Sequence, residues 1–338
     1  MTELVQGKLE QLATGLSFTE GPVWLADHGC LLFTDIPGNA ILRWDGADLS
    51  TWIGNAHFAI GLTRDRRGRV IACEHSTRSL TALTLDANGM PGRRTVLASS
   101  HEGRVLNSTN DVICTSAGTI LFTDPPFGVR NLEGGLHGYQ QAQEIDGAYV
   151  FAVGDEAGAP KPVVTDIYRP NGLCLSPDET RLYVSDSSTT YRKIIEMDFD
   201  AGVASTLRDF AVMPKGVPDG MRVDAEGRLW VAGGDGVYVW DAGGTEIAHV
   251  PVPEMVTNVE FGGPELSDLY ITATTSLYRI ATTTQSGRAW WSALRSSGTR
   301  GPALPRHPRG PDPLPRARPR RLVPPAPDSR WRRVFRDA

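Results

Sequence analysis

One sequence pattern occurs six times along the 338 residues of the chain. Each copy has a strand-like apolar run, a short polar turn with Gly or Pro, and a second apolar run. The second runs begin at Leu31, Val70, Ile120, Leu182, Leu229 and Leu269. The intervals between them are 39, 50, 62, 47 and 40 residues. Internal repeats of about this period are typical of propellers and solenoids, so the repeat restricts the chain to few folds.

The elements within each copy are predicted to be antiparallel strands. Most copies continue into a further apolar run, such as NAILRWD, KIIEMDFD or GVYVWD, which gives three or four strands per copy. Gly, Pro and Asp interrupt every run, and almost no segment shows a sustained helical period. Six small sheets repeated radially predict an all-β fold, a six-bladed β-propeller. A β-sandwich would not explain the repeat.

The end of the chain differs from the rest in composition and charge. Residues 286–338 contain 13 Arg, no Lys, 3 Asp and about ten Pro, which predicts a disordered basic extension after a propeller domain of residues 1–285. The extension is either a basic arm for an anionic partner or a segment with no selected role. The chain carries a net charge of -5, and the extension +10, so the first 285 residues carry -15. No nucleic-acid partner is expected for this acidic body.

Membrane and secretion signals are not readable in the sequence. The longest apolar stretches have about five residues, whereas a membrane-spanning helix needs about 20. The first residues lack a basic region followed by an apolar core. The four cysteines form no CxxC pair and are predicted to be buried thiols rather than disulfides or metal ligands. We therefore expect a cytoplasmic protein without a membrane partner, and the oligomeric state is left open.

The start of the first run in each copy predicts a site on the propeller axis. Equivalent positions of the six innermost strands should meet around a central channel. The aligned residues are Glu20, Ile60, Asn110, Asn171, Asp219 and Asn258. Two carboxylates with two or three amide oxygens form a hard-oxygen ligand set, which suits calcium best, magnesium or manganese less well, and zinc least. The alternative is that these residues only cap turns through local hydrogen bonds.

A second aligned position, at the end of the second run, is acidic in four copies. These residues are Asp35, Glu74, Asp124 and Asp186. We interpret them as structural acceptors of backbone amides in adjoining turns. The functional alternative is a layer of acids around the axial ligands or a second cation site, for which Asp124 is the most plausible member.

Several motifs in fixed order also resemble a known family. They are TEGPVW, CEH, LNSTNDV, FTDPPFG, RPNGLCLSPDETRLYVSD, VPDGMRVDAEGRLWV and TNVEFGG. Over about residues 15–280 the chain resembles the gluconolactonase and regucalcin family of six-bladed propellers, and its bacterial sugar-lactonase branch most. The resemblance implies a divalent metal in the channel held by Glu20, Asn171 and Asp219, with Asn110 as a further ligand or substrate contact. It also implies that Asp219 is the acid/base residue and that aldonolactones are the usual substrates.

These observations predict a divalent-metal-dependent lactonase that opens gluconolactone-like substrates to aldonic acids. The metal would polarise the carbonyl, and Asp219 would act as base or nucleophile. Asn110, His75 and Asn258 are predicted to contact the sugar. The long insertion 125–146 is a candidate lid. The residues leave two alternatives open: a calcium-binding regulatory propeller without activity, and a phosphotriesterase-like hydrolase with the same metal ligands.

Overall fold

The computed structural model describes residues 4–129 and 142–288. These residues form strands and turns without a helix, so the described chain contains no helix that could span a membrane. Six antiparallel sheets of four strands each make up the molecule, together with one short two-stranded hairpin. The predicted all-β fold with six blades is confirmed. Residues 130–141 of the candidate lid, and the extension from residue 289 onward, lie outside the described residues.

The strands follow one another closely along the chain. The first thirteen are β1 (Val5–Ala13), β2 (Thr19–Leu25), β3 (Cys30–Asp35), β4 (Ala40–Trp44), β5 (Leu49–Gly54), β6 (Ala59–Arg64), β7 (Val70–Glu74), β8 (Ser79–Leu85), β9 (Pro91–Ala98), β10 (Ser100–His101), β11 (Arg104–Val105), β12 (Val112–Cys114) and β13 (Ile120–Asp124). The others are β14 (Tyr149–Val153), β15 (Lys161–Val164), β16 (Pro170–Leu175), β17 (Arg181–Asp186), β18 (Lys193–Asp200), β19 (Val203–Val212), β20 (Met221–Val223), β21 (Leu229–Gly233), β22 (Gly236–Trp240), β23 (Glu246–Pro251), β24 (Val256–Gly262), β25 (Asp268–Ala273) and β26 (Ser276–Thr282).

Each sheet is one blade, and its strands are consecutive in the chain except in the last. Blades one to five are β2–β5, β6–β9, β12–β15, β16–β19 and β20–β23, and blade six is β24, β25, β26 and β1. The first strand of each blade contacts the first strand of the next, and β24 contacts β2. The six first strands therefore form a closed ring around the axis.

The hairpins inside the blades follow the predicted repeat, because the second runs begin within one residue of the second strands. In the polar turns between these strands, an acidic side chain of the turn can accept backbone amides of the same turn, as Asp65 does. Its Oδ1 accepts hydrogen bonds from the amides of Arg67 and Arg69, and Gly68 adopts a φ of +76° in this turn. Such short turns with Gly in the left-handed region connect antiparallel strands tightly.

The hydrophobic core lies between the blades. The inner strands β2, β3, β6, β7, β13 and β24 are buried at every residue, because neighbouring blades cover both of their faces. The outer strands β5, β9 and β19 are partly exposed along their length. All four cysteines are buried free thiols, as predicted.

The N-terminal strand completes the last blade. β1 pairs antiparallel with β26, from Val5 opposite Thr282 to Ala13 opposite Leu277. Leu4, just before β1, is only 5% exposed and packs in the core cluster shared by blades five and six. The pairing of β1 with β26 therefore joins the two ends of the ring of blades.

The described chain continues three residues past the boundary predicted at residue 285. Ser286 forms an isolated β-bridge with Asp224, and the Gly287 amide donates to the carbonyl of Val223 at 2.9 Å. The start of the basic extension therefore packs against blade five.

Candidate functional site

The six aligned axial residues lie at the same end of the closed ring of inner strands. Glu20, Ile60, Asn171 and Asn258 lie in β2, β6, β16 and β24, while Asn110 and Asp219 lie two residues before the start of β12 and β20. The inner strands contact one another in sequence around the ring, so these residues lie at one end of it. Glu20, Asn110 and Asn258 are no more than 4% exposed.

Glycines bring neighbouring axial residues close together. A Cβ atom on Gly172 would lie 2.2 Å from the Asp219 carbonyl oxygen, and one on Gly220 would lie 2.0 Å from the Asn258 side chain. No real side chain tolerates such distances. The dipeptides Asn171–Gly172 and Asp219–Gly220 therefore pack blades four, five and six more tightly than any larger residue would permit.

Hydroxyl groups from the second strands hold the axial backbone, a feature that the sequence reasoning missed. In each case a hydroxyl in one blade donates to the carbonyl of the axial residue in the next blade. The pairs are Thr34 with Ile60 at 3.0 Å, Thr123 with Asn171 at 2.8 Å, and Ser185 with Asp219 at 3.1 Å. The sequence did contain a sign of these hydrogen bonds, because a Thr or Ser directly precedes the Asp at the end of the second run in FTD, FTD and VSD.

Blades six and one meet through side chains at the axis. Asn258 Nδ2 donates to Glu20 Oε2 at 3.0 Å, and the Gly21 amide donates to the same oxygen at 2.8 Å. Asn258 Oδ1 accepts the Val259 amide at 2.9 Å, which fixes the amide orientation. Asn258 therefore helps to fix the orientation of the Glu20 carboxylate.

The two axial carboxylates are costly to keep charged. Burial raises the pKa of Glu20 to about 7, against the opposing effect of hydrogen bonds from Gly21 and Asn258. Burial also raises the pKa of Asp219, and the negative charge of Glu20 raises it further, while a hydrogen bond from Asn171 opposes this. A cation bound between these two carboxylates would lower both pKa values and so favour their ionised forms.

The donor set fits a hard divalent cation. Carboxylate oxygens of Glu20 and Asp219 and amide oxygens of Asn110 and Asn171 are the ligands that calcium and related ions prefer. Among residues 4–129 and 142–288, no group of three or more His, Cys, Asp and Glu side chains is assembled to hold a metal. A cation at the axis would therefore depend on the asparagines as well as on the acids.

At the second acidic position, three of the four acids accept backbone amides as predicted, and for Glu74 the prediction was wrong. Asp35 Oδ1 accepts the Phe18 amide at 3.0 Å, Asp124 Oδ2 accepts the Asn107 amide at 2.7 Å, and Asp186 Oδ1 accepts the Ser188 amide at 3.0 Å. Glu74 instead forms a two-pronged ion pair with Arg94 in β9. For Asp35 and Asp124 the amides come from the segment before the first strand, which ties the entry of the blade to its second strand.

His75 lies beneath the start of the long insertion. Its side chain is 2% exposed, and burial lowers its pKa to about 4. A Cβ on Gly128 would lie 3.0 Å from the ring, and the Gly128 amide donates to Ser108 Oγ at 2.8 Å. The structure therefore places His75 under this loop, in contact range of residue 128, and its predicted contact with a substrate stays a prediction.

A buried charged cluster further along the inner strands was also missed. Arg222 donates from Nε to Glu260 Oε2 at 2.9 Å, and both side chains are no more than 2% exposed. Burial raises the pKa of the neighbouring Asp111, and the charge of Arg222 opposes this. The sequence did contain a sign of this ion pair, because Arg222 in MRV and Glu260 in VEF are charged residues in otherwise apolar inner strands.

Two cavities open at opposite ends of this inner ring. One, of about 580 Å³, lies between blades three and four at the axial-residue end and is lined by residues that include Pro126, Arg169 and Asp186. The other, of about 200 Å³, includes Cys114, Cys174 and Arg222 in its wall. Only the first lies at the end that carries the axial ligand set.

Comparison with known proteins assigns the chain to one family. The family described as the SMP-30/Gluconolactonase/LRE-like region matches residues 18–275. The gluconolactonase of Zymomonas mobilis is 27% identical over 305 residues, with 83% of each chain covered. The pentonolactonase of Haloferax volcanii is 31% identical over 269 residues, which covers 77% of this chain and 82% of the relative.

A solved structure supports the same assignment. A gluconolactonase from Xanthomonas campestris matches with a TM-score of 0.76 and 31% identity, covering 83% of this chain and 91% of that one. The matched family region includes all six axial positions. The chain therefore belongs to the SMP-30/gluconolactonase/LRE-like family.

Proposed function

We propose that the protein is a divalent-metal-dependent hydrolase that opens sugar lactones, such as gluconolactone, to aldonic acids. One observation carries the proposal: Glu20, Asn110, Asn171 and Asp219 share one end of the inner ring, where they form a hard-oxygen donor set. The gluconolactonase and pentonolactonase relatives support a sugar lactone as substrate.

Glu20, Asn171 and Asp219 would hold the cation, with Asn110 as a fourth ligand or a substrate contact. We expect calcium, with zinc, manganese or magnesium as alternatives. A cation bound there supplies Lewis-acid polarisation of the lactone carbonyl and charge for the developing oxyanion.

We assign to Asp219 the role of general base or of nucleophile. As a base, its carboxylate takes a proton from the water that attacks the carbonyl carbon, while the ring C–O bond breaks and the ring oxygen becomes a hydroxyl. As a nucleophile, its oxygen bonds to the carbonyl carbon while the ring C–O bond breaks and the ring oxygen takes a proton from water; a water molecule then cleaves the resulting anhydride, which releases the aldonate and restores the Asp219 carboxylate. The 3.1 Å bond from Ser185 to the Asp219 carbonyl holds the backbone of this residue in place.

Asn110, Asn258 and His75 are the proposed substrate contacts. Asn258 already donates to Glu20, so its effect on substrate would come mainly through the position of Glu20. His75 is buried under residue 128 and would need that loop to shift before it contacted a sugar.

The test is hydrolysis of glucono-, xylono-, arabinono- and galactonolactone in a pH-indicator assay, with the uncatalysed rate subtracted. Metal-stripped protein is compared with protein given calcium, zinc, manganese or magnesium. We expect metal-dependent turnover and a loss of about 10²–10⁴-fold in kcat for Asp219→Asn. The matched control, Asp48→Asn, removes an exposed acid and should keep wild-type activity.

Other outcomes would contradict the proposal in distinct ways. Metal binding by calorimetry without turnover of any lactone would favour a calcium-binding regulator. Turnover of a phosphotriester but of no lactone would favour the phosphotriesterase alternative. Turnover that persists in Asp219→Asn would exclude this residue as base or nucleophile.

A further inference from the structure

Arg169 occupies a distinctive place at the axial end of the molecule. It lies two residues before Asn171, just ahead of β16, and about 7 Å separates such positions along an extended chain. Its carbonyl accepts the Ser187 amide at 3.0 Å, which fixes the backbone to blade four. The side chain lines the cavity of about 580 Å³ between blades three and four. Arg169 is therefore the cation nearest in sequence to a proposed metal ligand on this rim.

Two aromatic rings hold the guanidinium. Its central carbon lies 6.0 Å from the centre of the Phe127 ring and 5.9 Å from that of Tyr168, over the face of each. A guanidinium stacked on rings keeps its N–H donors free in its own plane. The stacking therefore orients the donors without using them.

Among the described residues, Arg169 has acidic neighbours in its cavity but no direct ion-pair partner. No Asp or Glu of residues 4–129 and 142–288 forms an ion pair with it, although Asp146, Asp166 and Asp186 line the same cavity. The neighbouring cation is different, because Lys193 lies 2.7 Å from Asp209. The guanidinium of an arginine that lines a cavity can bind a carboxylate, phosphate or sulfonate group through two N–H donors.

The cavity itself has the size and composition of a ligand site. Its volume falls within the roughly 300–1,000 Å³ that small-molecule sites occupy. Tyr168 and Tyr191, 60% and 50% exposed, add an aromatic pair with ring centres 6.3 Å apart. The cavity is thus a mixed polar and aromatic surface beside the axial site.

We propose that Arg169 determines specificity by binding an acidic group on the substrate, so that the site prefers lactones with a second, negatively charged substituent. This inference rests on the proposed lactonase function. In a six-carbon δ-lactone, the substituent at C6 projects from the carbon on the other side of the ring oxygen from the carbonyl. An acidic group there would lie beside the reacting centre, toward the rim that carries Arg169. The three cavity carboxylates would repel such a substrate if Arg169 were absent.

The experiment compares acidic lactones with their neutral parent in Arg169→Met and Arg169→Lys. The panel is gluconolactone, a glucaric acid monolactone and 6-phosphogluconolactone, so that a carboxylate and a phosphate are tested separately. We expect Arg169→Met to lower kcat/KM for one or both acidic lactones by about 10- to 100-fold and for gluconolactone by less than about threefold. Arg169→Lys should recover part of the loss, because it keeps the charge without the planar donors.

Arg93→Met serves as the matched control, because Arg93 is exposed in the outer strand β9 of another blade. It should leave all three substrates unchanged. Equal losses on neutral and acidic lactones in Arg169→Met would mean that the residue only packs the rim, and no loss on any would also overturn the proposal.

A binding measurement separates this inference from the lactonase assignment. Calorimetric titration of 6-phosphogluconate and gluconate into wild-type protein and Arg169→Met requires no turnover. Tighter binding of the phosphorylated acid that is lost in Arg169→Met supports the role of Arg169, even if no lactone is hydrolysed. Equal affinities of the two acids in the wild type would contradict it.

Discussion

At the scale of single residues, the axial site depends on glycines, which have no Cβ atom, as much as on the proposed ligands. Asn171, Asp219 and Asn258 come from three blades, and the glycines that follow the first two allow their contact. Gly220 is the more demanding position, because its Cα faces the amide that orients Glu20. The chemistry of Glu20 is therefore controlled from two blades away.

Gly220→Ala should displace Asn258 and release Glu20. We expect a loss of stability of about 1–3 kcal/mol from overpacking and a decrease in metal affinity of about 10- to 100-fold. Chemical denaturation and calorimetric metal titration measure the two effects. Gly54→Ala is the matched control, since a Cβ there meets no atom within 4 Å. Unchanged metal affinity in Gly220→Ala would show that Asn258 does not position Glu20.

Residue patterns predicted the members of the axial site but not their contacts. Glu20 and Asn258 are both visible as openings of a first run, yet they are 238 residues apart and their hydrogen bond depends on ring closure. The ion pair of Arg222 and Glu260 was missed for the same reason, because its partners belong to different blades. Local sequence reports which face of a strand is buried, not which blade packs beside it.

At the scale of elements, β1 has a different role from the other outer strands. It contributes little of its own surface to the core, and its burial pattern is mostly exposed. Its anchor is Leu4, and the Thr283 amide donates to the Leu4 carbonyl at 3.0 Å. The strand therefore locks the first and last segments of the ring together through one buried side chain and the pairing with β26.

Leu4→Ala should weaken this lock. We expect a loss of about 2–4 kcal/mol in the free energy of unfolding, since a buried leucine is replaced by a smaller residue. Urea denaturation measures the loss. Val203→Ala on the outer strand β19, where the side chain is 66% exposed, should cost less than about 0.5 kcal/mol. Equal effects of the two substitutions would mean that β1 does not secure the ring.

The strands themselves were the most predictable elements. Apolar runs separated by short polar turns with Gly or Pro predicted the second strand of every blade to within a residue, as at Val70 and Ile120. The short hairpin of β10 and β11 was not predicted, because Ser100–His101 and Arg104–Val105 are too brief and too polar to form a recognisable run.

At the scale of the whole molecule, the proposed ligands couple the blades. Glu20, Asn110, Asn171 and Asp219 belong to blades one, three, four and five, so a cation shared by them would bridge most of the ring. Such a cation binds the folded ring and not the unfolded chain, which raises the stability of the entire propeller.

Removal of the metal should therefore lower the melting temperature of the whole protein. At a free metal concentration of 100 times Kd, binding contributes about 2.7 kcal/mol, which corresponds to roughly 5–10 °C for a domain of this size. Scanning calorimetry with chelator and with added calcium measures the difference. Asp219→Asn should show a much smaller shift, and an equal shift in this variant would place the stabilising cation elsewhere.

The closure of blade six by β1 also bears on how the chain is made. β1 is synthesised before its partner strand, because Thr282, which pairs with Val5, is added 277 residues later. At about 5–20 residues per second this takes roughly 14–55 s. During that interval β1 has no partner strand, and its polar residues Gln6, Lys8, Glu10 and Gln11 make it a poor template for pairing with other chains. The same polar surface that keeps β1 at the rim of the finished molecule thus protects the nascent chain from aggregation.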